Sequence, residues 1–136
     1  MMFLAMFSPW LILPAGVWAE NIVVITHSGI APGSVDADTI KKIYSGYITK
    51  WPDNKKIIVT TTDKAPYHEN FVKTYVGKTP SQFSANWKGI MFSGKGIFPT
   101  NFNSAEELID FVSKNEGAIG YANAEAIPKD GVSVQK

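Results

Sequence analysis

The residues best suited to holding a ligand follow an apolar, β-branched run in the first half of the chain. Ile57-Ile58-Val59 leads into three threonines, and these are followed by Asp63, Lys64 and a turn that contains Pro66. A strand that ends at the start of a helix leaves N–H groups free to donate at the positive end of the helix dipole. Small anions often bind at such strand ends. The candidate ligand-binding residues are Thr61, Thr62, Asp63, Lys64, Tyr67, His68 and Lys95.

Two of these features also have ordinary explanations. Threonine favours strands and helix caps, so the row of hydroxyls fits a purely structural role equally well. Lys95 lies in Gly89-Ile90-Met91-Phe92-Ser93-Gly94-Lys95-Gly96, which matches the first seven positions of a nucleotide-binding P-loop. The eighth position must be Ser or Thr, and here it is Gly96, so nucleotide binding is disfavoured. The segment is then either a loop that lends amides and Lys95 to an anion, or a tight turn.

The sequence offers no convincing catalytic set. His27 and His68 are the two histidines, and they lack a recognisable metal-ligand spacing, so ordinary polar roles are favoured over metal binding or acid–base chemistry. Ser93 and Ser104 lie outside the G-x-S-x-G frame of a nucleophile elbow. We therefore predict a protein without enzymatic activity, without a metal site and without a cofactor.

Composition excludes several further classes. The 136 residues include no cysteine, which removes disulfides, thiolate metal sites and a lipid anchor attached to cysteine. All 13 basic residues are lysine, so an oxyanion must be held without the arginine fork. The net charge is +1, which does not indicate nucleic-acid binding.

The first residues form an uncharged apolar segment that ends in Val17-Trp18-Ala19, with small residues at positions −3 and −1 of a cleavage site. This pattern predicts a secretory signal peptide over residues 1–19 and a single domain over residues 20–136. A buried N-terminal core segment is the alternative. The segment is too short and too interrupted by Pro14 and Gly16 to span a bilayer.

Strand and helix patterns alternate along the rest of the chain. Strands are predicted over residues 21–26, 56–60, 117–121 and 132–135. Helices are predicted from Asp36 or Asp38 to Gly46, from Pro66 to Gly77, from Pro80 with a buried stripe of Phe83, Trp87, Ile90 and Met91, and after Ser104. This alternation predicts an α/β fold with a mostly parallel sheet covered by helices on both faces.

Two blocks are similar to blocks of one known family. Residues 40–53, IKKIYSGYITKWPD, resemble the L..IF.G.it.W.d block of phosphate ABC-transporter substrate-binding proteins, and residues 117–121 are similar to that family's GAIGY. Their order and separation also match, and the likeness covers about residues 21–135. The resemblance implies a single lobe of the type II periplasmic binding-protein fold, located in the periplasm.

The family's phosphate loop reads RSDGSGT, and aligning Phe71 with the family's phenylalanine carries this loop over residue by residue. The arginine then falls on Thr61, the serine on Thr62 and the aspartate on Asp63, while the SGT segment falls on residues 65–67. Only Asp63 is identical, and Thr62 retains a hydroxyl. Lys64, His68 or Lys95 would have to supply the positive charge.

The resemblance implies a non-catalytic secreted module for binding or uptake of phosphate or a similar oxyanion. One lobe leaves an anion half solvated, so tight binding would need a homodimer or an envelope protein partner as the second wall. The alternative is an interaction or signalling module that binds no ligand and docks on another envelope protein. That alternative predicts an exposed apolar patch involving Tyr47, Trp51, Tyr67 or Phe98.

Overall fold

The computed structural model describes residues 21–135, so the predicted signal peptide lies outside the described residues. The elements follow the predicted alternation. In chain order they are β1 (Ile22–His27), α1 (Ala37–Tyr44), β2 (Ile58–Thr61), α2 (His68–Phe71), a π-helical turn (Val72–Val76), α3 (Pro80–Phe92), β3 (Thr100–Asn101), α4 (Ala105–Lys114), β4 (Ala118–Asn123), a 3-10 turn (Ala124–Ala126) and β5 (Val132–Val134).

The five strands form one sheet in the order β3-β2-β4-β1-β5. β2 pairs in parallel with β3 and with β4, whereas β1 runs antiparallel to both β4 and β5. The predicted mostly parallel sheet is therefore confirmed, and β1 is its one reversed strand among the described residues. The carboxyl ends of β2, β3 and β4 meet at one edge of the sheet, which we call the carboxyl edge. The start of β1 lies there too, because Ile22 is opposite Asn123 at the end of β4.

Alternate residues of the central strands enter two cores, one on each face of the sheet. Val24 and Tyr121 pack with the apolar residues of α1, α2 and α3. Ile25 and Ala122 pack on the opposite face against α4. This alternation is the period of two that a strand imposes on its side chains. Helices cover both faces of the sheet, as predicted.

The helix predicted after Pro66 has an unexpected form. Its α-helical part is a single turn of four residues, and the chain continues as a π-helical turn to Val76. Gly77 then ends the segment with φ at 76°, in the left-handed region that favours glycine. A macrodipole grows by aligning successive peptide units, so one α-helical turn provides little positive field at its start.

α3 is the longest described helix, with 13 residues, and it begins as predicted. Thr79 and Gln82 form a reciprocal capping box, and Pro80 occupies the first helical position. Phe83 and Trp87 are buried, but the prediction of a buried Met91 is wrong, because Met91 is 44% exposed. The last turn of α3 runs past the core. No helix within residues 21–135 combines the length and apolar character that a membrane span requires.

The two blocks that carry the family resemblance contact each other. Trp51 Nε1 donates a hydrogen bond to the carbonyl oxygen of Gly117 at 3.0 Å. A side chain at Gly117 would overlap the carbonyl of Lys56, and a Cβ at Gly120 would lie 2.5 Å from the Leu108 side chain. Neighbouring atoms therefore leave room only for glycine just before β4, at Gly117, and within it, at Gly120.

Candidate functional site

The segment from Thr61, the last residue of β2, to His68, the first residue of α2, contains six of the seven predicted ligand-binding residues, and we call it the β2–α2 loop. Thr61, Thr62, Tyr67 and His68 are buried, whereas Asp63 and Lys64 are exposed. The loop lies at the carboxyl edge, because it directly follows the end of β2. The structure therefore brings these six residues together at the place where ligands usually bind in an open α/β sheet.

Tyr121 on β4 holds one side of this loop. Its hydroxyl accepts a hydrogen bond from the backbone N–H of Thr62 at 3.0 Å, and Nδ1 of His68 lies 2.5 Å from the same oxygen. Burial raises the pKa of Tyr121 well above its usual value, so the hydroxyl keeps its proton. The Tyr121 hydroxyl and Nδ1 of His68 share one hydrogen bond, and the tautomer of the imidazole sets which of them donates.

Burial also sets the charge of His68. The loss of solvation lowers the pKa of His68, and the nearby charge of Asp63 only partly opposes this shift. The imidazole is therefore neutral near neutral pH. His68 was predicted as one possible source of positive charge for an anion, and its burial opposes that role.

Asn101 on β3 holds the other side of the loop. Its Oδ1 accepts from the hydroxyl of Thr61 and from the backbone N–H of Asp63, both at 2.9 Å. Next along the chain, the N–H of Phe102 donates to the carbonyl of Thr61 at 2.8 Å. β3 therefore fixes the conformation of the loop through one side-chain oxygen and one backbone hydrogen bond.

The support beneath the loop is aromatic. The rings of Phe71 and Tyr121 stack with their centroids 3.7 Å apart and their planes 6° from parallel. Tyr44 meets Phe71 edge to face at 5.0 Å, and its own hydroxyl donates to the carbonyl of Thr60 at 2.9 Å. Packed aromatic pairs of this kind leave few alternative positions for the hydroxyl of Tyr121.

The backbone amides of the loop are less available than the sequence suggests. The N–H groups of Thr62 and Asp63 donate to Tyr121 and Asn101, as described above. Those of Ala65 and His68 donate to the carbonyls of Thr62 and Ala65, each at 3.0 Å. The expectation that a row of free amides at a helix start would hold an anion is therefore not met by these four groups.

Three buried side-chain oxygens near the carboxyl edge have no hydrogen-bond partner within residues 21–135. They are Thr62 Oγ1, Tyr67 Oη and Asn123 Oδ1. Thr62 follows β2, Tyr67 precedes α2, and Asn123 is the last residue of β4. Buried polar atoms almost always have partners in folded proteins, so each exception calls for an explanation such as a ligand or a water molecule.

Lys95 lies apart from the other predicted residues. It lines a groove together with Lys50 and Lys56, and none of the six residues of the β2–α2 loop lines that groove. The reason is topological: the segment between α3 and β3 passes beside the start of β2, whereas the candidate loop follows its end. The structure thus separates Lys95 from the site to which the sequence assigned it.

Sequence reasoning did not identify Tyr121, Asn101 or Asn123 as parts of this site. Tyr121 was visible as the last residue of the Gly117–Tyr121 motif, and the register of β4 against β2 would have placed it beside the loop. Asn101 belongs to a strand of two residues, which is too short to show a periodic signal. Within residues 21–135 no group of three or more metal-ligating side chains converges.

Comparison with known proteins gives the family. The sequence profile of the PBP superfamily domain matches residues 12–135. The chain belongs to this family. The search of curated proteins found no match to the sequence of this chain.

Several solved structures share the fold of this PBP superfamily domain. One is from Clostridium perfringens, assigned as a phosphate ABC transporter substrate-binding protein and solved with bound phosphate; it is 24% identical, with a TM-score of 0.67. An ABC-type phosphate transport receptor from Vibrio cholerae is 16% identical, with a TM-score of 0.61. PstS from Borrelia burgdorferi is 17% identical, with a TM-score of 0.60.

The matches cover 86%, 85% and 85% of this chain, but only 44%, 45% and 46% of the three structures, in the same order. The chain therefore spans less than half the length of these structural neighbours. The likeness extends over nearly all of the described residues and establishes the fold that the sequence resemblance implied.

Proposed function

We propose that this protein is a non-catalytic solute-binding module that takes a small oxyanion of the phosphate type at the β2–α2 loop. Support comes from its family and from the phosphate bound in the Clostridium perfringens structure of the same fold. The proposal includes export to the periplasm, for which the N-terminal pattern of residues 1–19 is the ground.

The observation that carries the proposal is the pair of unpartnered hydroxyls, Thr62 Oγ1 and Tyr67 Oη, in one loop. An unsatisfied buried polar group costs about 1–3 kcal/mol, and a hydroxyl can donate to an oxyanion oxygen. Both residues belong to the segment that aligns with the phosphate loop of the resembling family. An oxyanion that accepts a hydrogen bond from either hydroxyl would remove the cost of that group.

Charge at the loop favours an oxyanion that carries a proton. Lys64 is an exposed cation next to Asp63, whose carboxylate oxygens only accept hydrogen bonds. Hydrogen phosphate can donate its P–OH to such a carboxylate, whereas sulfate has no proton to donate near neutral pH. We therefore propose that phosphate binds better than sulfate.

Affinity for the single chain is expected to be low. Neutral hydroxyls in a half-open site give a roughly millimolar dissociation constant, which corresponds to a binding free energy of about 4 kcal/mol in magnitude. Closure of a second wall over the anion would exclude water and strengthen each hydrogen bond. A second copy of the chain or an envelope protein partner is the proposed source of that wall.

Calorimetric titration of the purified protein with phosphate and with sulfate tests the proposal. Thr62→Val and Tyr67→Phe remove the unpartnered hydroxyls, and we expect each to weaken phosphate binding about 2- to 10-fold. Tyr67→Phe should not lower the free energy of unfolding without ligand, because no hydrogen bond within residues 21–135 is lost. Tyr75→Phe is the matched control, since the Tyr75 hydroxyl donates to the carbonyl of Ile22 at 3.3 Å, outside the loop.

The proposal would be refuted if the titration showed no binding heat at phosphate concentrations about tenfold above the expected millimolar dissociation constant. Equal weakening by Tyr75→Phe and Tyr67→Phe would also refute it, because the effect would then be general rather than local to the loop.

A second function is favoured by one observation, the exposed apolar side chains at the end of α3 and after α1. Tyr47 is 82% exposed and Phe92 is 84% exposed. They lie on neighbouring segments, because Gly46 packs against Ile90. Such residues are typical of a docking face for another protein. Of the four residues predicted for this face, Tyr47 and Phe98 are exposed, but Trp51 and Tyr67 are buried in the core.

Affinity capture with the purified protein distinguishes the second function from the first. If the chain is an interaction module, one envelope protein will be retained without added phosphate and lost with Tyr47→Ser and Phe92→Ser together. Lys114→Ser, on the helix that covers the opposite face of the sheet, and Lys129→Ser serve as exposed controls on other parts of the surface. Retention that is unchanged by the Tyr47 and Phe92 substitutions would exclude this face.

A further inference from the structure

The groove that contains Lys95 lies away from the β2–α2 loop and has its own chemistry. It has a volume of about 340 Å³, within the usual size range of small-molecule sites. Its apolar lining comes from the start of β2, from α3 and from the segment before β3. The main apolar contributors are Ile57, Val59, Trp87, Ile97, Phe98 and Pro99.

The floor of the groove is fixed, whereas its rim is exposed. Trp87 is 4% exposed, and its Nε1 donates to the carbonyl of Tyr44 at 2.9 Å, which anchors the indole. Ile97 is 80% exposed and Phe98 is 39% exposed. β3 begins to pair with β2 only at Thr60, so the earlier residues of β2 border the groove on that side and pair with β4 on the other.

Three cations line this apolar groove without any carboxylate among its lining residues. Lys50, Lys56 and Lys95 all contribute to the lining, and no aspartate or glutamate does. Within residues 21–135 none of the three ammonium groups forms an ion pair, unlike those of Lys42, Lys55 and Lys114, each of which contacts a carboxylate. The groove is therefore apolar inside and positively charged at its edge.

Two of these lysines are placed directly opposite each other. Lys50 and Lys56 form an isolated antiparallel bridge, flanked by hydrogen bonds from Ile57 N to Thr49 O at 3.0 Å and from Trp51 N to Lys55 O at 2.9 Å. This is the non-hydrogen-bonded type of pair, in which opposite side chains come closest. Like charges in that position repel each other, and an anion between them converts the repulsion into attraction.

We propose that this groove binds a small organic anion that joins a carboxylate or sulfonate group to an apolar body. The anionic group lies between Lys50, Lys56 and Lys95, and the apolar body covers Trp87 and the start of β2. Inorganic phosphate has no apolar part and gains nothing from this lining. The groove is thus a site for a different ligand class from that of the β2–α2 loop, and it does not depend on oxyanion binding there.

Fluorescence titration with 8-anilinonaphthalene-1-sulfonate tests the proposal on the purified folded protein. The probe combines a sulfonate with an aromatic body. We expect saturable binding that the triple variant Lys50→Gln, Lys56→Gln and Lys95→Gln weakens at least tenfold. The triple variant Lys73→Gln, Lys78→Gln and Lys129→Gln changes the net charge equally, at lysines outside the groove, and should bind within twofold of the unmodified protein.

Displacement of the probe separates the contribution of charge from that of apolar contact. Octanoate should displace the probe at a concentration at least tenfold lower than octanol, and phosphate should not displace it. Circular dichroism of each variant verifies that the fold is unchanged. The proposal is overturned if the groove variant binds like the control variant, if octanol displaces as well as octanoate, or if phosphate displaces the probe.

Discussion

The β2–α2 loop and the lysine-lined groove differ in where they keep polarity and charge. In the loop, Thr62 and Tyr67 hold neutral hydroxyls inside the protein, and burial keeps His68 uncharged. In the groove, exposed lysines surround an apolar floor. The loop therefore offers directional hydrogen bonds with little charge, and the groove offers charge with little hydrogen bonding from its floor.

This difference is the basis for proposing different ligands for the two regions. A compact oxyanion such as phosphate has several acceptor oxygens and benefits from fixed donors. An anion with an apolar body benefits from a cationic edge beside a surface that it can cover. Lys95, which the sequence assigned to the first region, belongs to the second, so Lys64 is the one lysine of the predicted set that lies in the β2–α2 loop.

The largest expected effect separates a residue beneath the loop from one at the exposed end of α3. Phe71→Ala removes the ring stacked on Tyr121 and should lower the free energy of unfolding by about 3–5 kcal/mol. Phe92→Ala changes a side chain that is 84% exposed and should have an effect within about 0.5 kcal/mol. Urea denaturation measures both, and similar losses would contradict the assignment of the core.

The next effect concerns the side-chain hydroxyl that holds the loop. Tyr121→Phe leaves the buried N–H of Thr62 without its acceptor and should cost about 1–3 kcal/mol in unfolding free energy. Tyr75→Phe removes a longer hydrogen bond, at 3.3 Å, and should cost about 1 kcal/mol or less. Sulfonate binding in the groove should be unaffected by Tyr121→Phe. A smaller loss for Tyr121→Phe than for Tyr75→Phe would contradict this view of the loop.

The third effect is a pH dependence of the free energy of unfolding, which arises from His68. Its folded pKa is lowered by burial, so the unfolded chain binds the proton more readily and stability falls as the pH drops below the usual histidine value of about 6.5. A single group changes the unfolding free energy by at most about 1.4 kcal/mol per pH unit. Thermal or urea denaturation between pH 8 and pH 5 should reveal this slope. His68→Gln should flatten it, whereas His27→Gln, the matched control, should retain it.

The smallest effect tests the repulsion in the groove. Lys50→Glu places opposite charges across the bridge to Lys56 and should stabilise the fold by about 0.2–1 kcal/mol, while weakening sulfonate binding. Lys88→Glu makes the same charge change on α3 away from the bridge and should show neither effect. A destabilised Lys50→Glu variant that still binds the probe normally would show that the two lysines do not face a shared anion.

Much of the fold could be predicted because its signals are local. Asp36 and Thr79 cap helices through their own side chains, and Gly77 ends a segment through its own φ angle. The positions of β1 and β4 could be predicted from apolar content alone, because both are buried strands. The alternation of these elements was enough to predict the α/β class.

The parts that could not be predicted depend on contacts between distant residues. β3 has two residues and is defined only by its pairing with β2. The spacing of Phe71, Val72 and Val76 fits an α-helix and a π-helical turn alike, so the form of this segment was hidden. Lys95 was assigned by its own loop sequence, but the register of β3 determines where that loop lies.

Heteronuclear NMR titration with phosphate tests the central claim most directly, because it reports on both regions in one experiment. The account predicts that phosphate shifts the amide signals of Thr62, Asp63, Lys64, Tyr67 and His68, while those of Lys50, Lys56 and Lys95 remain within error. Saturation is expected in the millimolar range. Shifts confined to the three lysines, or no shift at all in the β2–α2 loop, would contradict the account.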